Sequence, residues 1–386
     1  MKRRALIRSA VVLAAFPTVL AACQGQPQLN GEVYIYVAGP LSGDQADGGQ
    51  SVVGGAALRA DEANSKGGVL GSKRVVVRGM DDEADEDVAA GVAAKIGDAM
   101  KSGEEVLGVI GHYNSGPTGR GLAVYRQLGL VVITPSSSNP DLTRQGYDRF
   151  FRVCATDSVQ GPTDAKFMLD KGWRKIALAR TDNDYAQGLG KEFAAGLAAA
   201  GGQPAVEVVM KAESPTFATE VERIRSAGVD AVFFAGDYPD GIVLGRELRQ
   251  AGVSVPILAS DANFVEEFID QLGSAAQGIY VSAISPDPRA VAPKSWFDRY
   301  KALETRNPGM DSTTGYSAAD VLLSAVAKAN SSDGKALAAA IHSLDLTTLV
   351  GHVRYDDKGD LLEQRIYVFQ VQGARFAQVY PAAAPG

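Results

Sequence analysis

The sequence predicts an α/β fold of two lobes, each a doubly wound parallel β-sheet with helices on its faces. Short runs rich in β-branched and aromatic residues alternate with longer segments whose apolar residues recur at helical spacing. This alternation is typical of βαβ units, in which a helix joins two parallel strands. Because the series occupies residues 33–134 and starts again after residue 160, we predict two such units in succession.

The first unit consists of predicted strands joined by helices in the order expected of a parallel sheet. In its first helix Val53, Ala57 and Ala60 share one face, as in a helix that packs on a sheet. The strands are predicted at residues 33–38, 74–78, 106–110 and 130–134, and the helices at residues 50–64, 85–100 and 116–127.

The second unit repeats this order, and further helices and a β-rich tail follow it. Because both patterns return, we expect the chain to revisit both lobes through a hinge with crossings near Asp157, Ser285 and Leu349. The first lobe then comprises residues 32–157 and 285–349, and the second lobe residues 158–284 and 350–380. Strands are predicted at residues 175–179, 205–210, 230–235, 255–259, 278–284, 352–355, 365–370 and 375–380. Helices are predicted at residues 163–169, 186–199, 219–226, 240–250, 292–305, 313–329 and 335–341.

The amino terminus has the layout of an export signal. Basic residues precede an apolar stretch at residues 9–20, and small residues directly before Cys23 are typical of a bacterial lipoprotein signal. The apolar stretch is too short for a permanent membrane span, and Pro17 interrupts it. We therefore predict a lipoprotein signal peptide at residues 1–22, lipidation of Cys23, and a tether at residues 23–31. An ordinary cleaved signal with an incidental cysteine is the alternative.

Composition excludes several classes of function. The 386 residues include 38 Lys and Arg against 45 Asp and Glu, and this net charge of −7 gives little to neutralise nucleic acid phosphates. The two Cys and three His show no metal-binding spacing, so we expect no metal and no cofactor. Neither a phosphate-binding glycine motif nor a nucleophile elbow is present, which argues against a nucleotide-binding protein and against an enzyme.

Polar loops follow several predicted strands, at the sheet edge where α/β proteins bind ligands. In the first unit the loops at residues 111–118 and 134–139 are rich in hydroxyl groups, and Ser115 stands where a helix begins. Helix starts of this kind favour a carboxylate ligand, although an ordinary helix cap would also explain the serine.

In the second unit, the loops after three strands each supply a carboxylate or a phenol. They lie at residues 181–185, 236–239 and 260–263. Carboxylates that face hydroxyl groups across a cleft suit a zwitterion such as an amino acid. Helix capping by aspartate could explain any one of these residues.

Seven segments of the chain together have a recognisable pattern. They are Gly39-Pro40-Leu41-Ser42-Gly43, residues 63–69, Gly111-His112, Ile133-Thr134-Pro135, Asp157 with Gln160-Gly161, Tyr185-Ala186-Gln187-Gly188 and residues 355–359. Together they resemble the leucine/isoleucine/valine-binding protein family, the type I periplasmic binding proteins of branched-chain amino acid ABC transporters. The resemblance runs from about residue 32 to residue 369, and it implies two lobes that close on a ligand and present it to a permease.

The resemblance also implies roles for particular residues. By position, Ser115, Ser136 and Ser138 are similar to the residues that contact the ligand carboxylate in the first lobe. Tyr185 and Asp261 are similar to the second-lobe contacts, and Asp261 is expected to take the ligand ammonium group.

The sequence departs from the family where well-known branched-chain binders have aromatic residues. Asp47 follows the first strand and Asp237 follows a strand of the second unit, although Tyr238 could replace the second aromatic residue. Because an unpaired buried carboxylate is unfavourable beside an aliphatic group, a polar or cationic ligand becomes plausible.

These features predict an exported, monomeric solute-binding lipoprotein, anchored in the periplasm or at the cell surface. It would capture an amino acid, either branched-chain or a more polar or cationic relative, between its two lobes and deliver it to an ABC permease in the inner membrane. One alternative is a ligand-sensing receptor of the same fold that acts on a membrane signalling partner. Another is a secreted hydrolase that uses Ser115 or Ser136 with His112, although no nucleophile motif supports it.

Overall fold

Two separate β-sheets organise the protein, as a computed structural model shows for residues 28–304 and 306–382. The predicted export signal and Cys23 lie outside these residues. The strands of the first sheet are β1 (Glu32–Gly39), β2 (Arg74–Asp81), β3 (Val106–Gly111), β4 (Val132–Thr134) and β5 (Phe150–Arg152). They run parallel in the order β2-β1-β3-β4-β5.

The second sheet is parallel at its centre and antiparallel at one edge. Its parallel strands are β6 (Ile176–Thr181), β7 (Val206–Met210), β8 (Ala231–Ala235), β9 (Ile257–Ala259) and β10 (Tyr280–Ala283). A separate hairpin, β11 (Leu346–Thr348) and β12 (Gly351–Val353), precedes the edge strands β13 (Tyr367–Gln372) and β14 (Arg375–Tyr380). The order is β14-β13-β10-β9-β8-β6-β7, which confirms the predicted two-lobe α/β fold.

Helices cover both faces of each sheet. In the order of the chain they are α1 (Ala46–Ser65), α2 (Glu86–Lys101), α3 (Ser115–Leu128), α4 (Asp141–Arg144), α5 (Asp157–Asp170), α6 (Asp184–Ala199), α7 (Ala218–Ala227), α8 (Tyr238–Gln250), α9 (Glu266–Leu272), α10 (Pro288–Val291), α11 (Lys294–Leu303), α12 (Met310–Ala329) and α13 (Gly334–His342). Short 3-10 helices occupy Asp261–Asn263 and Gly273–Ala276. Among the described residues no helix is both long and apolar enough to cross a membrane.

The long helices α1 and α12 pack closely in the first lobe. Gly55 of α1 lies against the carbonyl oxygen of Ser312, and Gly315 of α12 lies against the carbonyl oxygen of Val52. A Cβ atom at either glycine would collide with backbone, so only glycine permits this approach. The contact holds the amino-terminal end of α12 close to the start of α1.

Three chain segments connect the lobes and lie side by side. The N–H of Ala155 in the first segment donates to the carbonyl of Ile284 in the second at 3.4 Å. The main-chain N–H of Thr156 donates to the side-chain oxygen of Gln364 in the third segment at 2.7 Å. The chain thus passes between the lobes near residues 154, 285 and 363.

The third crossing lies later than the sequence suggested. Residues 350–361 were expected in the second lobe, but Val353, Tyr355 and Leu361 pack in the apolar core of the first lobe. The carboxylate of Asp360 also pairs with the fully buried Arg152 at 2.6 Å. Apolar burial and this ion pair therefore keep the segment with the first lobe until after Leu361.

Other differences concern short or irregular elements. The helix expected at residues 292–305 is α11, which begins at Lys294 directly after Pro293, and the short helix α10 that precedes it was not predicted. The helix expected at residues 163–169 begins at Asp157 and includes Pro162 in its first turns. The strand β5 and the helices α4 and α9 were missed, since segments this short contain too few residues to show a period.

Candidate functional site

Loops at the carboxyl ends of the two sheets face each other across a cleft between the lobes. In the first sheet they follow β3 and β4, and in the second sheet they follow β6, β8 and β9. Open α/β sheets bind their ligands at this end of the strands. A central cavity of 30 Å³ lies where these loops meet, lined by Tyr113, Asn114, Ser115, Ser136, Tyr185, Asp237, Asp261, Ala262, Met310 and Asp311.

The loops of the first lobe present neutral hydrogen-bonding groups to the central cavity. Ser115 is the first residue of α3, so its hydroxyl lies beside the first-turn N–H groups, which have no partner within the helix. The Ser136 hydroxyl donates to the Tyr113 carbonyl at 2.8 Å and ties the two loops together. Such a helix terminus favours a negatively charged group of a ligand.

The second lobe presents carboxylates to the same cavity. The Tyr185 hydroxyl donates to Oδ1 of Asp261 at 2.5 Å, and Nδ2 of Asn183 donates to Oδ2 of Asp237 at 2.8 Å. Asp237 occupies the N-cap position of α8, yet its side chain accepts no hydrogen bond from that helix. Helix capping therefore does not explain Asp237, whose side chain lines the cavity instead.

A further carboxylate comes from α12 on the first-lobe side of the cleft. Asp311 is only 3% exposed, and its Oδ2 accepts a hydrogen bond from the Tyr113 hydroxyl at 3.3 Å. Its other oxygen, Oδ1, is buried and has no hydrogen-bond partner among the described residues. An ionised oxygen in this position is costly unless a donor or a cation reaches it.

The carboxylates of the central cavity are not balanced by basic side chains in the part of the chain that the structure describes. None of the described residues that line this cavity is Lys, Arg or His. Burial, with a smaller contribution from the charge of Asp261, raises the pKa of Asp237 to about 6 and that of Asp311 to about 7. Burial also raises the pKa of Asp261, against the hydrogen bond from Tyr185. A cation in the cavity would stabilise the ionised forms.

Larger cavities continue the cleft on both sides of the central one. A cavity of 660 Å³ shares Ser115 and Asp237 with it, and its described lining has nine Asp or Glu residues against one basic residue, Arg120. A cavity of 360 Å³ shares Met310 and Asp311, and its described lining has five acidic and four basic residues. The central cavity of 30 Å³ has room for only about two water molecules. A larger ligand must extend into one of the neighbouring cavities or bind with the lobes further apart.

The structure brings together most of the site residues that the sequence indicated. Ser115, Ser136, Tyr185, Asp237 and Asp261 all line the central cavity. Their loops converge because the carboxyl ends of neighbouring parallel strands lie on one edge of a sheet.

Three other candidate residues do not line the central cavity. Ser138 is fully buried away from it. The Asp47 side chain is 51% exposed and pairs with Arg306 at 3.0 Å in the 360 Å³ cavity, so its charge is already balanced. The Tyr238 hydroxyl is engaged in a contact between the lobes, where it donates to the carbonyl of Asp44.

Sequence reasoning missed several residues of the cavity. Tyr113 and Asn114 belong to the hydroxyl-rich loop after β3. The sequence indicated this loop as part of the site but did not indicate these two residues. Met310 and Asp311 come from the start of α12, and Asp311 is 198 residues from its partner Tyr113. No local pattern marks a residue whose position depends on helix packing.

His112 is not available to a serine in the cleft. It is fully buried, with Nδ1 2.6 Å from Oδ2 of Asp82 and Nε2 2.9 Å from the Tyr125 hydroxyl. Both ring nitrogens are therefore engaged within the first lobe, so the Ser–His pair of a hydrolase does not form with Ser115 or Ser136. Among the described residues, no group of His, Cys, Asp and Glu side chains is arranged to hold a metal ion.

Comparisons with known proteins agree with this architecture. A family model described as periplasmic binding protein matches residues 32–375. A leucine-, isoleucine-, valine-, threonine- and alanine-binding protein of Pseudomonas aeruginosa is 30% identical over 334 residues, which cover 85% of this chain and 87% of that protein. A Leu/Ile/Val-binding protein of Rhizobium johnstonii is 31% identical, with 93% and 96% covered. The crystal structure of a leucine-binding protein from Thermotoga maritima superposes with a TM-score of 0.82 at 27% identity, covering 90% of this chain and 97% of that one.

Proposed function

The chain belongs to the periplasmic binding protein family, and we propose that it is the substrate-binding protein of an amino-acid ABC importer. Members of this family bind ligands and are not enzymes. The observation that carries the proposal is that hydrogen-bond donors of one lobe face a carboxylate of the other lobe across the cleft. The start of α3 with Ser115 faces the carboxylate of Asp261 across one cavity.

This opposition suits the two charged ends of an amino acid. The ligand carboxylate would accept hydrogen bonds from the first-turn N–H groups of α3 and from Ser115. The ligand ammonium would donate to Asp261, whose carboxylate the Tyr185 hydroxyl holds in place at 2.5 Å. Since each lobe supplies one half of the site, the ligand would stabilise the closed arrangement of the lobes.

Closure requires that the lobes move relative to each other. We assign this motion to the three adjacent crossing segments near residues 154, 285 and 363. Few chain segments connect the two apolar cores, and a small change of dihedral angles in each would part the loops that meet at the cavity. The direct contacts between the lobes, such as Tyr238 with the carbonyl of Asp44, would break on opening.

The amino-terminal sequence supports export and attachment to a membrane. We propose that residues 1–22 are removed, that Cys23 is lipidated, and that the lobes act as a monomer beside the membrane that holds the permease. Labelled fatty acid fed to cells that express the full chain should appear on the protein, and Cys23→Ser should abolish this label. Equal labelling of the variant would contradict the anchor but would leave the binding function intact.

Calorimetric titration tests the binding function. The full mature chain with Cys23→Ser is titrated with the standard amino acids, one at a time. At least one α-amino acid should bind with 1:1 stoichiometry and raise the melting temperature, since ligand at 100 times its Kd adds about 2.7 kcal/mol of stability. The same amino acid without its α-amino group should bind much more weakly. Absence of binding by every amino acid would contradict the proposal.

A further inference from the structure

We propose that the physiological ligand is a small molecule with two cationic nitrogen groups, of which Asp261 binds one while Asp237 and Asp311 bind the other. This inference rests on the proposed function and specifies its substrate class as the basic amino acids. Three carboxylates around a single small cavity exceed what the one ammonium group of an aliphatic amino acid can balance.

Within the described residues, no contact of the Asp237 and Asp311 side chains shows a structural role that would explain their burial. Asp237 is 6% exposed and caps no helix, although it stands at an N-cap position. Asp311 is 3% exposed, and its Oδ1 is buried without a partner among the described residues. The hydrogen bonds that both accept come from neutral groups, the Asn183 amide and the Tyr113 hydroxyl. Both carboxylates thus have capacity for a charged donor.

Asp237 and Asp311 also lie on opposite sides of the cleft. Asp237 precedes α8 in the second lobe, whereas Asp311 lies in α12, which packs against α1 in the first lobe. Ionised carboxylates brought together by closure repel each other, and a cation between them turns this repulsion into attraction. The same pair therefore favours closure on a ligand with a positive side chain and opposes closure on a neutral one.

The surroundings of the cleft are consistent with a cationic ligand. The 660 Å³ cavity that opens beside Asp237 has nine acidic residues and one basic residue in its described lining, and the basic residue, Arg120, is paired with Glu86 at 2.9 Å. Clefts of a single sign of charge concentrate ligands of the opposite sign and accelerate their association. The 360 Å³ cavity on the other side is nearly balanced in charge.

The test uses pairs of ligands that differ only in the second cationic group. The mature chain with Cys23→Ser is titrated with L-lysine and L-norleucine, with L-ornithine and L-norvaline, and with L-arginine and L-citrulline. The basic member of at least one pair should bind 100-fold or more tightly than its neutral partner. Neutral members that bind as well as the basic ones would overturn the inference and leave the proposed function standing.

Putrescine provides a separate arm because it has two ammonium groups and no carboxylate. Tight binding of putrescine without binding of any amino acid would support two cation sites and contradict the amino-acid part of the proposed function. If none of these compounds and none of the twenty standard amino acids bound, both proposals would be overturned.

Variants then locate the second cation site. Asp311→Asn and Asp237→Asn should each lower the affinity for the best basic ligand at least tenfold and lower its preference over the neutral partner. Asp47→Asn is the matched control, because Asp47 is already paired with Arg306 outside the central cavity. Circular dichroism and thermal melts confirm folding of each variant. Unchanged ligand preference in both folded cavity variants would contradict the assignment.

Discussion

The two faces of the cleft differ in the groups they offer a ligand. The loops of the first lobe contribute hydroxyls and a helix start, which are neutral donors, whereas the loops of the second lobe contribute Asp237 and Asp261. Asp311 is the exception, a carboxylate on the first-lobe side that arrives through a helix rather than a loop. This asymmetry orients a zwitterion, because the helix start that favours a ligand carboxylate lies on the first-lobe face and Asp261, which would take the ammonium group, lies on the second.

The largest loss of ligand affinity is expected for Asp261→Asn. The ammonium group of the ligand would then be buried without its charged partner, so the affinity for an α-amino ligand should fall by about 3 kcal/mol. Calorimetry measures the loss. Tyr185→Phe is a milder companion, since it removes only the hydroxyl that donates to Asp261, and it should lower affinity by about 1 kcal/mol. Wild-type affinity in Asp261→Asn would remove this residue from the site.

A change of pH should alter the affinity for a cationic ligand through the cavity carboxylates. The pKa values of Asp237 and Asp311 are raised by burial, and a bound cation lowers them, so the ligand binds the deprotonated forms. Affinity for a cationic ligand should therefore rise roughly 10–100-fold from pH 5 to pH 8, with proton release on binding. Titrations in buffers of different ionisation enthalpy measure the released protons. In Asp311→Asn the increase of affinity between pH 5 and pH 8 should be smaller. An increase equal to that of the parent chain would show that Asp311 does not cause it.

The same groups set the pH dependence of stability without ligand. A carboxyl with a pKa raised in the folded state binds more protons folded than unfolded between the two pKa values. The contribution of Asp237, Asp311 and Asp157, whose pKa burial raises to about 8, is thus fully present below about pH 4 and is lost as pH rises toward 8. Thermal melts should show that Asp157→Asn flattens this decline. A decline of unchanged slope would exclude Asp157 as a cause.

Substitutions on the first-lobe face should lower ligand affinity less than substitutions on the second-lobe face. Ser115→Ala removes one neutral hydroxyl and leaves the first-turn N–H groups of α3, so the affinity should fall by only about 1 kcal/mol. Calorimetry with the same ligand provides the comparison with Asp261→Asn. A loss as large as that of Asp261→Asn would show that the hydroxyl, rather than the helix start, holds the ligand carboxylate.

The smallest effect is expected for Asp47→Asn. The Asp47 carboxylate is half exposed and paired with Arg306, and exposed ion pairs contribute little, about 0.5 kcal/mol or less. Both ligand affinity and melting temperature should stay close to those of the parent chain. A tenfold loss of affinity would mean that Asp47 faces the ligand in the bound state.

The long βαβ elements could be predicted from sequence because their signals are local. Strand β3 is buried along its whole length and appears in the sequence as a continuous apolar run. The start of α2 could also be predicted from local sequence. The side chain of Asp85 caps this helix and accepts hydrogen bonds from the N–H groups of Asp87 and Val88. The position of residues 350–361 was not predictable, because it depends on the first-lobe core and on the pairing of Asp360 with Arg152.

The α/β class, the two lobes and the loops that could meet a ligand could be read from the order of the amino acids, because periodicity and strand-end chemistry depend on neighbouring residues. Which polar side chains share the cavity depends instead on how distant elements pack in the folded protein. The fold places Asp47 beside Arg306 and brings Asp311 to Tyr113, 198 residues away in the chain. Asp311 reaches the cavity because glycines allow α12 to pack closely on α1, and such packing depends on the whole fold.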